Sequence, residues 1–221
     1  GKFFAASEIA VYKSEDSASF AVGSNLMKET VSDNDLTNLQ NYMGVSTVFD
    51  SNNFESQVKA KYADLNANGI YDVYDYAFTL AKLDGGTKKT GAVAGKISLV
   101  PSVQTVKAGD TFTVELKVEG GQNINAFGAL AAYDTTKFEF VPDSIQKGEA
   151  VAGFENLSIN KANNTQGMVN LAFANRGDKE LFNGSGVVAT FKMKAKADGP
   201  ALTSKEAMII GPTFDFIKAA E

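Results

Sequence analysis

The sequence predicts a multidomain chain in which a small, mainly helical module precedes an all-β sandwich. Three observations carry this. Apolar residues recur at helical spacing through residues 14–86, a glycine-rich polar stretch follows, and beyond it the apolar period falls to two. The chain has 221 residues, 44% of them hydrophobic and 21% charged, which suits one large domain or two small ones.

Composition excludes several functions. The net charge is −5 and the basic residues are scattered, whereas a nucleic-acid partner requires clustered Lys and Arg. An acidic membrane surface is disfavoured for the same reason. No apolar run is long enough to span a bilayer, and no charged-then-apolar signal opens the chain, so Gly1 is expected to be a processed end or a boundary within a longer protein. There is no Cys and no His, which removes disulfides, Ser-His-Asp and Cys-His catalysis, and leaves zinc only an all-carboxylate shell. The remaining enzymatic route is a carboxylate pair. Asp134 with Glu139 and Asp178 with Glu180 are near neighbours on turns, as solvated faces usually are, so no catalytic residue is expected.

In the helical half, Leu26, Leu36, Leu39 and Tyr42 precede one gap, and Val73, Ala77, Leu80 and Leu83 follow it. The segment "DGGTKKTGAVAG", Asp84 to Gly95, has no periodic apolar face and is expected to hold a linker. The predicted boundaries are a lead-in strand at 1–13, a helical module at 14–86, a linker at 87–94 and a sandwich at 95–221. In "TFTVELKV", Phe112, Val114, Leu116 and Val118 face inward and Thr111, Thr113, Glu115 and Lys117 outward. In "VVATFKMKA", Val187, Ala189, Phe191 and Met193 are expected inward, with Val188, Thr190, Lys192 and Lys194 outward. "KISLV", "TVKAG", "INAFGALAAY", "KFEFV", "MVNLAFAN" and "EAMIIG" bring the total to about nine strands, separated by Gly, Pro, Asn and Asp turns.

The stretch "DLNANGIYDVYDYAFTLAKLDGG", Asp64 to Gly86, alternates side-chain oxygens and then becomes helical. Calcium takes six to eight oxygens, which a short loop supplies if alternate residues turn inward. Asp64, Asn66 and Asn68 occupy the first, third and fifth places. Gly69 permits the sharp bend at the sixth, the Ile70 carbonyl is available at the seventh, Asp72 falls at the ninth and Asp75 at the twelfth. Asp75 stands where an EF-hand has Glu. Few formal charges would face the ion, which suits an extracellular calcium level. The alternative is an Asx-rich turn that caps a helix, with Asp72 or Asp75 near its N-terminus.

A loop ending in Asp, followed by "YDYAFTLAKL", resembles the calcium loop and helix of a dockerin module. Dockerins carry two such loops. "TVSDNDLTNLQNYMG", Thr30 to Gly44, resembles the back half of the other, with Val31, Asp35, Leu36 and Leu39 matching in type, but "SNLMKE" offers poor ligands ahead of it. One calcium is therefore expected; alternatively, Ser32 or Asp33 simply caps a helix. The resemblance implies partner contacts at the tenth and eleventh loop places, Val73 and Tyr74. Tyr74 and Phe78 would then form an exposed patch, or else complete a small helical core.

"AGDTFTVELKVEG", "INAFGALAAYDTTKFEFV", "GMVNLAFAN" and "GSGVVATFKMKAKADG" resemble, in order, the blocks of a cohesin module, a nine-stranded jelly-roll sandwich. The resemblance implies no catalytic residues and a flat sheet face on which a dockerin lays its helices. Residues 1–13, "GKFFAASEIAVYK", resemble the closing strand of a discoidin-type carbohydrate-binding module; an ordinary strand burying Phe3, Ile9 and Val11 is the plainer reading. Together the resemblances imply a non-catalytic, calcium-binding assembly segment of a secreted or cell-surface bacterial glycoside hydrolase. Dockerin-bearing secreted enzymes would be its partners, with no nucleic acid and no membrane insertion. The two modules either touch within one molecule, or the helical half is a spacer that leaves the sandwich face free. A carbohydrate-binding role is the alternative, although the chain has no Trp and its strand Phe residues point inward.

Overall fold

The computed structural model describes residues 71–85, 89–154, 158–165, 167–177, 179–202 and 206–219, together with Ser32, Asp33, Leu36, Thr37, Leu39 and Met43. The lead-in strand, Asp64, Asn66, Asn68, Ile70, Leu26, Tyr42 and Asp178 lie outside them.

Twelve strands form among these residues. In chain order they are β1 (Ala94–Pro101), β2 (Thr105–Val106), β3 (Thr111–Ile124), β4 (Ala126–Ala132), β5 (Phe138–Phe140) and β6 (Gln146–Lys147). After a 3-10 turn at Glu149–Val151 come β7 (Ser158–Asn163), β8 (Met168–Ala174), β9 (Phe182–Ala195), β10 (Gly199–Pro200), β11 (Ala207–Ile210) and β12 (Phe216–Lys218). One sheet runs β1-β3-β9-β5 with β6 also on β9, the other runs β12-β11-β4-β8-β7, and β2 pairs β10 apart from both. Every pairing is antiparallel. This is a two-layer sandwich, as the alternating sequence requires.

The core between the sheets collects the inward residues: Phe112, Val114, Leu116 and Val118 of β3, Phe127 of β4, Val169, Leu171 and Phe173 of β8, and Phe191 and Met193 of β9. β3 keeps the predicted alternation through Val118.

Three departures have physical causes. More strands form than the predicted nine because β6, β10 and β12 span only two or three residues, too few to display a period. The polar β7, "SINKAN", instead pairs along its whole length with β8. "INAFGALAAY" is two strands: β3 ends at Ile124, and the Asn125 amide donates to the Ile210 carbonyl at 2.7 Å. Finally, Val188 lies in the core and Val187 does not. The register on β9 shifts where Leu116 pairs Ala189 but Lys117 pairs Val187, so Val188 is the extra residue of a bulge and the alternation changes phase there. The Gly148 amide holds the bulge by donating to the Val188 carbonyl at 2.8 Å, and a Cβ on Gly148 would collide with the Val187 carbonyl.

Part of the predicted linker is fastened to the sandwich. The Val93 amide donates to Asp215 Oδ2 at 2.6 Å and Asn123 Nδ2 to the Ala92 carbonyl at 3.0 Å. Gly91, at φ 126, leaves room for the Asn123 side chain that a Cβ would strike.

The bulge makes a direct prediction: Val188→Ala loses about 2 kcal/mol in urea denaturation, whereas Val187→Ala loses less than about 1 kcal/mol.

Candidate functional site

All seven residues of β8 are buried. A strand buried on both faces needs cover outside the sandwich as well as within it. Val169, Leu171 and Phe173 point into the sandwich core, whereas Ala172 and Ala174 join a second apolar cluster on the other side. That cluster also takes Ala126 of β4 and Ile210 of β11.

The cover is a helix, α1 (Val73–Leu83). Val73, Tyr76, Ala77 and Leu80 recur at helical spacing and bury one face against the sheet, with Tyr71, Leu39 and Met43 beside them. Small side chains admit the helix. A Cβ on Gly128 of β4 would collide with Val73, so this glycine is required for a close approach rather than for a turn. The polar residue Asn170 is also covered, at 2% exposure; its Nδ2 donates to the Tyr71 carbonyl at 2.7 Å.

Both ends of α1 are fixed by carboxylates. Asp72 is the N-cap: its Oδ1 accepts from the Tyr74 amide at 2.8 Å, while its own amide donates to Asp75 Oδ2 at 3.0 Å. This is a capping box with Asp at the third helical position, and it buries Asp75 completely. At the other end Asp84 accepts from Arg176 Nε and from the Gly177 amide, both at 2.8 Å. Thus α1 is tied to the loop that follows β8.

Of the predicted calcium ligands, Asp72 and Asp75 are described and stand side by side in that capping box. Both carboxylates therefore act in capping the helix. Among the described residues no group of three or more acidic side chains gathers. Of the predicted partner contacts, Val73 is buried against Gly128. Tyr74 is half-buried and stacks on Phe78, with Phe214 and Phe216 edge-on at 6.1 and 6.0 Å. Phe78 packs on Phe214 at 4.7 Å between centroids, and the Lys82 ammonium sits 5.7 Å from the Phe78 ring. Tyr74 and Phe78 thus pack on the sandwich edge as well as on each other. In the Thr30 to Gly44 stretch, the Leu36 amide donates to the Ser32 carbonyl and the Met43 amide to the Leu39 carbonyl.

The opposite sheet has a different outer face. Thr111, Thr113, Glu115 and Lys117 of β3 and Thr190, Lys192 and Lys194 of β9 alternate with core residues, and Lys117 pairs with Glu115 at 2.7 Å. Asp134 accepts from the Thr136 amide and hydroxyl at 2.9 and 2.6 Å, bonds that hold its carboxyl below the usual range. A turn-capping carboxylate of lowered pKa is suited to structure and unsuited to general-acid catalysis.

Gly128, Asn170, Arg176 and the Phe214–Phe216 edge went unnoticed at the level of sequence. One signal was available: "MVNLAFAN" is almost uninterruptedly apolar, which implies burial on both faces.

Two predictions follow from the helix–sheet contact. Gly128→Ala forces Val73 off the sheet and costs about 1–3 kcal/mol, read by urea denaturation monitored through tyrosine fluorescence. Burial raises the Tyr76 phenol well above its ordinary 10.0, and burial, then the Asp75 and Asp72 charges, raise Tyr74. The fold therefore favours the neutral phenols: their contribution is complete below a pH of about 10 and is lost as pH rises through the raised values. Tyr76→Phe should flatten this alkaline loss of stability.

A family model described as the cohesin domain matches residues 97–214. Cohesin domains are non-catalytic interaction modules that bind dockerin-bearing partners, and they serve as extracellular scaffold modules. Among solved structures, a type II cohesin–X-dockerin complex from Acetivibrio cellulolyticus is similar at 13% identity, covering 57% of this chain and 93% of that one, with a TM-score of 0.46. A type II cohesin from Bacteroides cellulosolvens is 20% identical over 56% of this chain and 91% of its own, with a TM-score of 0.44. A type I cohesin–dockerin complex from Clostridium thermocellum is 17% identical over 60% and 92%, with a TM-score of 0.46. No curated protein matches the chain. No helix among the described residues is long and apolar enough to cross a membrane. With the matched region spanning more than half of its length, the chain belongs to the cohesin family.

Proposed function

We propose that the sandwich is an assembly module that receives a dockerin-bearing partner on the outer face of β11, β4 and β8, within a secreted carbohydrate-active protein. The observation that supports this face is its fitness for a helix. Ala126, Gly128, Ala172 and Ala174 are small, and one amphipathic helix already lies against them. The outer face of β3 and β9 carries Lys, Glu and Thr side chains that are stable in water. The glycoside hydrolase context rests on the sequence resemblances alone.

The same proposal includes one calcium, held by Asp64, Asn66, Asn68, the Ile70 carbonyl, Asp72 and Asp75. Supporting it, the carboxylates of the last two places meet at the head of α1. When bound, the ion would order the loop that leads into the helix, so that less conformational entropy is lost when α1 packs.

Calcium titration by calorimetry checks the metal. A single saturable site is expected, lost in Asp64→Ala; no heat, or unchanged heat in that variant, contradicts it. For the partner, calcium-loaded dockerin modules from the same organism are tested against the full chain. Ala172→Arg should weaken binding at least about 10-fold and Thr190→Arg leave it unchanged; the reverse pattern would assign the partner to the other sheet.

A further inference from the structure

We infer that α1 is an intramolecular occupant of the partner face, so that the chain regulates its own assembly: a dockerin binds only as α1 leaves. This rests on the partner-face reading above and adds to it a closed state and an open one.

Several observations indicate that α1 can leave. The two apolar clusters are separate, so the 28 buried residues between the sheets remain packed when the helix departs. The face it uncovers carries Ala126, Gly128, Asn170, Ala172 and Ala174, with Ile210 and Met208 as its larger apolar side chains, a mostly small-residue surface that water tolerates better than one of exposed Leu or Phe. The fit is also incomplete. Asn170 Oδ1 is buried beneath the helix with no hydrogen-bond partner among the described residues, a condition that open water would relieve. A cleft of about 200 Å³ remains beside the head of α1, lined by Asp72, Val73, Gly128, Glu206, Met208 and Lys218. The distal tether rests on a single side chain, Asp84, which accepts from the Gly177 amide and from an Arg176 side chain that is 43% exposed, so one substitution releases it.

The contact is nonetheless favoured while α1 is attached to the same chain, since a short connection gives it an effective concentration of the order of millimolar. A competing dockerin then binds with its intrinsic affinity reduced by the fraction of molecules that are open. Weakening α1 should therefore tighten dockerin binding, the opposite of what loss of a binding residue does.

The chain has no cysteine, so Leu80→Cys places a single thiol at a position that is 0% exposed and is labelled only when α1 lifts. In the full chain its alkylation should be slow, should accelerate when Asp84→Ala removes the tether, and should accelerate again with saturating calcium-loaded dockerin from the same organism. Separately, Asp84→Ala and Leu80→Asp, in the chain without the added thiol, should tighten dockerin binding by about 10-fold or more. Alkylation at the rate of an unfolded thiol would overturn the inference, because α1 would not be seated. Dockerin binding that is equal in wild type and both variants, with no change in labelling, would overturn it and leave the assembly reading intact. Binding to none of the proteins would overturn the assembly reading itself, and this inference with it.

Discussion

The seating of α1 depends on the outer face of β8, a strand that is buried on both faces. Val169, Leu171 and Phe173 belong to the sandwich and would be found in any two-sheet fold. Asn170, Ala172 and Ala174 face the other way, and their burial requires a third layer. α1 supplies that layer, and the dependence is mutual. A helix of 11 residues is marginal in water, so α1 owes its order to the sheet it covers and to the capping box of Asp72 and Asp75. A sequence that first appears as two consecutive modules is therefore joined by packing as well as by its linker.

Small residues decide which sheet takes the helix. Gly128 permits contact with Val73, and the alanines of β4 and β8 keep the surface shallow. On the other sheet, Glu115, Lys117, Lys192 and Lys194 occupy the equivalent outward positions, where covering them would mean desolvating charge. The asymmetry separates the two faces in physical terms: one is built for water and the other for a helix. A face built of small apolar residues suits a family of non-catalytic interaction domains.

Much of this was legible in the sequence. The period of two in "TFTVELKV" located β3 and its inward face, and the 3.6 period of Val73, Ala77 and Leu80 located α1. Legibility failed where structure is made by long-range pairing. β7 is polar and exists because β8 pairs with it, and the bulge at Val188 reverses an alternation that looked regular in "VVATFKMKA". The same limit applied to the site. Asp72 and Asp75 could be singled out from loop spacing, and their side-by-side arrangement as a cap is a local matter. Gly128, Asn170 and Arg176 lie about 50 to 100 residues further along the chain, and nothing local marks them as the surface that Val73, Tyr71 and Asp84 would meet.

The central claim is that α1 forms a separable layer over an independently packed sandwich. Amide hydrogen exchange of the intact chain, followed residue by residue, tests it most directly. The account predicts two tiers of protection: the amides of α1 open together at a lower free energy, while those of β3, β8 and β9 exchange only with global unfolding. If α1 and β8 instead exchange at the same rate and respond to denaturant with the same slope, the helix is an integral part of one cooperative core and the layered account is wrong.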